Sequence, residues 1–343
     1  MRAAAWAALA IGNAAVAGAD TSSVTVTLTP AGQQLAQDFG DSEAALIQKV
    51  QTEIDTVYQT ARIGPLLDAF LTTTQFANKS LGVDYQTQPG ELEFGVVTDG
   101  ALSRDEAFTT AGHLTTGAIL NIAVMGGANL GRWGLPRLSV FANAFYETNS
   151  LLGISLKGLD GHLLTAGAHA QYKVVLPTAP GSVRWTGVDV TSGLELARWT
   201  LGNAAPIVTK FTLQGTTPGE SRNLTLTSTG TLSLIATTFT VPIEVTTGVR
   251  FFDTFALYTG AGVDMTMGSS TLTAGLAGDL TITQDGTPVG SVAISASGGQ
   301  SPSFFDVHAL AGFQLDVPHV HFFVQGMLAP DVYGASTGFR FSF

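Results

Sequence analysis

The sequence predicts an all-β protein, a closed antiparallel transmembrane β-barrel of about 12–14 strands behind an N-terminal helical segment. Three observations carry that prediction. Only 12% of the 343 residues are charged while 45% are hydrophobic, against roughly 25% charged in soluble domains, so few charges remain to wet a surface. Apolar and polar residues alternate with a period of two through most of the chain after residue 91. The last eight residues, STGFRFSF, place Phe339, Phe341 and Phe343 at every second position, where most chains end in polar, mobile residues.

The pattern divides the chain into a signal peptide at 1–19, a helical plug or periplasmic segment at 20–90 and a barrel at 91–343. Arg2 supplies a positive n-region, residues 3–11 a short apolar h-region, and Ala17-Gly18-Ala19 a small-residue cleavage site. Removing Arg2 would take the formal charge from −11 to −12, which excludes nucleic acid as a partner because nothing would neutralise phosphates. The chain has no cysteine, so disulfides play no part. Past the first twenty residues no apolar run reaches the ~18 positions that a spanning helix needs.

In the N-terminal segment Ile47, Val50, Ile54, Val57 and Ala61 recur at spacings of three and four after Asp41-Ser42-Glu43, which predicts a helix of about twenty residues. Gly64-Pro65 interrupts it, and Pro65 suits the first turn of a shorter helix carrying Leu66, Leu67, Phe70 and Leu71.

The period then becomes two. In 239–249 the odd positions are Phe239, Val241, Ile243, Val245, Thr247 and Val249, against Pro242, Glu244, Thr246 and Gly248. The same alternation marks 162–176, 305–316 and 271–283, where Leu272, Ala274, Leu276, Leu280 and Ile282 form the apolar face. Runs of about nine to fifteen residues suit tilted strands crossing a bilayer. The second face carries Thr, Ser, Gly and Gln rather than many Lys and Glu, as a confined lumen does. Lipid offers no hydrogen bonds, so the sheet must close, with the final strand beside the first. Counting 206–214 and 222–236 as separate spans gives about fourteen strands; placing that pair above the membrane gives about twelve. Trp133, Trp185, Trp199, Tyr146, Tyr258 and Tyr333 lie near span ends, where an aromatic girdle would sit.

With its signal peptide, alternating spans and closing strand Tyr333, Ala335, Thr337, Phe339, Phe341, Phe343, the chain resembles Gram-negative outer-membrane β-barrel proteins. That resemblance implies a location in the bacterial outer membrane, contact with its lipid, and an assembly signal at Tyr333, Phe339, Phe341 and Phe343 read by the barrel-assembly machinery. A helical segment ahead of the strands is similar in outline to outer-membrane long-chain fatty-acid transporters, which implies a plug and a path for a small solute or hydrophobic ligand.

No Gly-x-Ser-x-Gly elbow, phosphate loop, dinucleotide fingerprint or His-Glu-x-x-His is present, and no cofactor is expected. The best polar cluster is Asp306, His308 and Asp316 facing His319 and His321 across the Val317-Pro318 turn, all expected inside the lumen. His and carboxylate at such positions can ligate a divalent metal; hydrogen-bonded lumen residues are the plainer reading, and no metal is assigned. Further inward charges are Arg137, Glu147, Lys173, Glu195, Glu244, Asp264, Asp279 and Arg340, and inward Phe141, Phe145 and Phe323 would pack on the plug. The expected function is a passive channel or transporter. The alternatives are a structural or interaction barrel with a helix-filled lumen, and a membrane-embedded hydrolase supported only by the His and Asp cluster.

Overall fold

The computed structural model describes residues 18–58, 63–79, 83–86, 92–103, 118–148, 160–178, 181–216 and 220–343. The expected signal peptide therefore falls almost wholly outside the described residues. The N-terminal part consists of strand β1 (Gly18–Leu28) and helices α1 (Pro30–Asp38), α2 (Glu43–Tyr58) and α3 (Ile63–Phe76). The body is β2 (Leu92–Ser103), β3 (Ala118–Asn129), β4 (Leu138–Thr148), β5 (Asp160–Val175), β6 (Val183–Gln214) and β7 (Ser221–Phe251). It continues with β8 (Phe255–Ile282), β9 (Pro288–Gln300), β10 (Phe305–Val317), β11 (Val320–Leu328) and β12 (Val332–Ser342). No described helix is long and apolar enough to cross a membrane; strands make the crossing.

All twelve strands belong to one antiparallel sheet. Strands β2 to β8 and β10 to β12 form a closed ring: β12 pairs with β2, and the backbones of Leu92 and Phe343 exchange hydrogen bonds at 2.9 and 3.3 Å. Closure leaves no unpaired edge in hydrocarbon, the condition lipid imposes on a sheet. The long strand β8 has two partners on one side, β10 along Phe255–Met265 and β9 along Ser270–Thr281. Its second half, with the upper parts of β6 and β7 and with β9 and β1, extends beyond the ring as a five-stranded sheet. At the opposite end the connections are short. Phe252 and Asp253 both have positive φ, at 50° and 58°, in the three-residue connection between Phe251 and Phe255.

The run 239–249 is not a span of its own but continues 222–236 in one strand, β7, and 271–283 likewise continues the strand β8 that begins at Phe255; the reason is physical. Along β7 the even positions face inward throughout, but they read Leu224, Leu226, Leu232, Leu234 and Ala236 before the boundary and Thr238, Thr240, Glu244, Thr246 and Arg250 after it. The odd positions do the reverse, from Thr225, Thr227, Thr229 and Thr231 to Phe239, Val241, Ile243 and Val245. The strand does not turn; its surroundings change. Within the ring the outside meets lipid and the inside is polar, whereas in the extension the outside meets water and the inside packs on helices. Leu272, Leu276 and Leu280 are accordingly core residues, not the lipid-facing series expected of them. Leu35, Leu46, Val50 and Ile54 of α1 and α2 pack on Leu224, Leu226, Leu280, Val292 and Ile294, with Ile47 against the same core, so α2 sets Ile47, Val50 and Ile54 of the predicted 3–4 series against the extension.

Around the ring the outward side chains include Phe94, Val96, Leu120, Val140, Leu194, Ile243, Leu257, Val307, Phe339 and Phe341, all exposed. The four girdle residues Trp133, Tyr146, Trp185 and Tyr333 are exposed. Tyr258 and Trp199 depart from that expectation. Tyr258 is buried in the lumen, and Trp199 stands edge-on to Phe70 of α3 at 5.5 Å, because both occupy inward positions.

Candidate functional site in the lumen

The ring is filled by the protein's own chain. At the extension end, Leu67, Phe70 and Leu71 of α3 cover the mouth against Leu234, Ala236, Leu272 and Ala296. Phe76 and Ala77 then meet Ala101, Ile119, Ala329 and Val332. Asn78 donates from its amide nitrogen to the carbonyls of Ala166 and Leu196, at 3.3 and 3.0 Å, and Asn121 donates to the carbonyl of Ala77 at 2.9 Å.

One level deeper lies a group of charges shut off from solvent. Lys79 Nζ is 2.5 Å from Asp264 and 3.5 Å from Glu195. His308 bridges Asp264 through Nδ1 at 2.8 Å and Glu244 through Nε2 at 2.9 Å. His169 meets Glu195 at 3.0 Å, and Tyr85 donates its hydroxyl to Glu244 at 2.6 Å. Buried charges persist when each has a partner, and here the partners come from β5, β6, β7, β8 and β10 as well as from the threaded segment. Val83 and Tyr85 pack with Met125, Phe141, Tyr258, Leu310 and Met327.

The last level lies at the short-turn end. Arg340 pairs with Asp84 at 3.1 Å, donates to the carbonyl of Val83 at 2.8 Å, and lies over the ring of Phe323 at 4.1 Å. Arg250 donates to the carbonyl of Gln86 at 2.8 Å and pairs with Asp316 at 2.7 Å. Asp316 in turn is 2.6 Å from His321, which reaches Ser342 at 2.9 Å.

The five residues of the expected polar cluster are therefore divided. Asp316 and His321 are register partners and meet. His308 sits eight residues up the strand from Asp316, about 26 Å away at 3.3 Å per residue, and belongs to the Lys79 level. Asp306 is half-buried near the mouth, 3.4 Å from Gln75. His319 does not face the lumen: it holds a φ of 65° in the hairpin turn and is exposed, with Nδ1 3.1 Å from the Ser342 carbonyl oxygen. Among the described residues no group of three or more His, Asp or Glu is arranged to hold a metal ion. Of the other inward charges, Lys173, Glu195, Glu244, Asp264 and Arg340 face the lumen, Arg137 and Asp279 are exposed, and the side chain of Glu147 lies outside the described residues. Lys79, Asp84 and Tyr85 were not singled out from sequence. Their one signal is a Lys and an Asp standing in a stretch, 77–90, with no other charge between α3 and the first ring strand.

The family model described as Lsa36-like matches residues 21–343. The chain belongs to the Lsa36-like family. No curated protein matches it. Among solved structures, this Lsa36-like chain is similar to the translocator domain of the autotransporter NalP from Neisseria meningitidis, at 11% identity and a TM-score of 0.31, covering 77% of this chain and 92% of that one. It is also similar to the CymD monoaromatic hydrocarbon channel, at 11% identity and a TM-score of 0.26, covering 82% and 98%. A third is the outer membrane phospholipase A from Escherichia coli, at 9% identity and a TM-score of 0.25, covering 74% and 97%. These three are a translocator domain, a channel and a phospholipase, so nothing about activity passes from them to this chain. With an apolar outer band, a polar lumen and a ring without edges, the Lsa36-like chain has the build of a transmembrane β-barrel.

Proposed function

We propose that this protein is a structural and interaction barrel: a membrane ring filled by its own residues 63–79 and 83–86, which carries β1, α1, α2 and the five-stranded extension outside the cell. One observation carries this reading. The chain enters the ring at the extension end, where Phe76 meets Val332, and leaves at the short-turn end, where Gln86 meets Arg250 and β2 begins. Short turns face the periplasm in bacterial outer-membrane barrels, which puts the extension on the outer surface. In this reading residues 1–19 are a signal peptide, 20–90 cap and plug the ring, and Tyr333, Phe339, Phe341 and Phe343 are presented to the barrel-assembly machinery. The test is twofold. Protease added to intact cells is expected to cleave the extension turn at 215–220, and the purified full-length protein is expected to be silent in planar lipid bilayers. Steady conductance by the intact chain, or protection of that turn until the outer membrane is opened, would reject the reading.

A passive channel for small or hydrophobic solutes is the second reading. It is favoured by the way Lys79 and residues 83–86 are held, through ion pairs and hydrogen bonds rather than through covalent links. Conductance appearing only after Lys79→Ala and Asp84→Ala would support it.

A further inference from the structure

We propose that Arg198, His162 and Tyr146 form a binding site for a phosphate-bearing headgroup of an outer-leaflet lipid. The argument begins with what the outer band lacks. Among the described residues, the outward strand positions of the ring below this level carry no Asp, Glu, Lys or Arg. Arg198 is the first such charge met on climbing out of the band on β6, one step above the outward Leu196 and Leu194. It is exposed and, among the described residues, has neither a hydrogen bond nor an ion pair. An arginine at the edge of hydrocarbon with no partner among the described residues offers five N–H donors in a planar fork, the geometry that suits phosphate oxygens.

Its neighbours fit the same ligand. Registers place Tyr146, Leu164 and Arg198 in one row across β4, β5 and β6, with His162 and Thr200 in the row above. The exposed His162 ring lies parallel to Tyr146, with centroids 6.2 Å apart and an interplanar angle of 7°. Diagonal neighbours on adjacent strands stand about 7–8 Å apart, within reach of long side chains, so the Arg198 fork and a His162 N–H can approach one oxyanion. Height selects the occupant. The inward face of β6 changes from Thr191 and Glu195 to Trp199 and Leu201 at this level, and β7 reverses at the paired residues 236–238. The hydrocarbon boundary crosses the barrel here, where lipid phosphates lie. The chain carries a formal charge of −11, so this cationic spot is not part of a general attraction for anions.

The test uses full-length protein in phosphatidylcholine nanodiscs containing a minor fraction of phosphatidic acid. Retained lipid is counted by native mass spectrometry after transfer to detergent, and heat-modifiable gel migration confirms the folded barrel for every variant. Wild type is expected to keep phosphatidic acid in preference to phosphatidylcholine. Arg198→Ala is expected to lower that retention at least fivefold, His162→Ala less, Arg198→Lys least, and Lys210→Ala, an exposed cation on the extension, not at all. Equal retention by wild type and Arg198→Ala would overturn the proposal, as would an equal loss in Lys210→Ala. Tight binding of inorganic phosphate alone by the micellar protein would overturn the assignment to lipid.

Discussion

Replacing Lys79 by methionine should loosen the whole lumen. The Lys79 ammonium stands 2.5 Å from Asp264 and 3.5 Å from Glu195, and all three side chains are buried. At an effective dielectric near 20 these separations correspond to attractions of about 7 and 5 kcal/mol. Desolvation costs several kcal/mol per ion and offsets much of that. In the variant, Asp264 keeps His308 at 2.8 Å and Glu195 keeps His169 at 3.0 Å, so neither carboxylate is abandoned, but each loses its fixed cation. The expected loss is about 3–5 kcal/mol, the range for removing one partner of a buried pair. Urea unfolding in lipid vesicles, followed by tryptophan fluorescence, would measure it, since Trp199 reports on α3 through Phe70. Asp264→Asn and the double variant complete a cycle whose coupling should exceed about 1 kcal/mol. A loss below about 1 kcal/mol for Lys79→Met, with additive behaviour in the double variant, would mean that these charges are solvated like surface pairs. The threaded segment would then not be locked in the ring.

The other predictions address the boundary, the closure and the turns. Ile243→Lys, on the outer face inside the ring, should cost about 2–4 kcal/mol, whereas Thr229→Lys, seven residue pairs higher on the same face of β7, should stay within about 0.5 kcal/mol; equal effects in vesicle unfolding would remove the hydrocarbon boundary from between them. Gly95→Ala should destabilise by about 1–3 kcal/mol through overpacking, because a Cβ there would lie 2.1 Å from the Phe339 carbonyl oxygen in the closing strand pair, and an unchanged urea midpoint would contradict that closure. In the exposed hairpin, the Thr287 backbone N–H, 2.9 Å from Asp285, holds that carboxyl below the usual carboxylate range. A lowered folded-state pKa adds stability above the ordinary carboxylate pKa, and that contribution fades as pH falls through the folded value. A carboxyl-carbon NMR titration should show Asp285 protonating at lower pH than a model peptide, and an ordinary midpoint would show the turn to be open.

The barrel was legible in the sequence because alternation, low charge and span length are local quantities that lipid imposes on each strand separately. Phe339, Phe341 and Phe343 announced their outward face, and Ile47, Val50 and Ile54 announced a helix face, with no knowledge of what covered either. Tertiary structure decided what each face touches. Leu272 and Leu276 look the same in sequence as Val241 and Ile243, yet one set packs under α2 and α3 and the other meets hydrocarbon, because alternation records that two faces differ and not which side is wet. The same limit separated His308 from His321 and hid Lys79, Asp84 and Tyr85. Their partners lie on strands more than a hundred residues away, and only closing the ring around the threaded segment brings those charges close enough to bury one another.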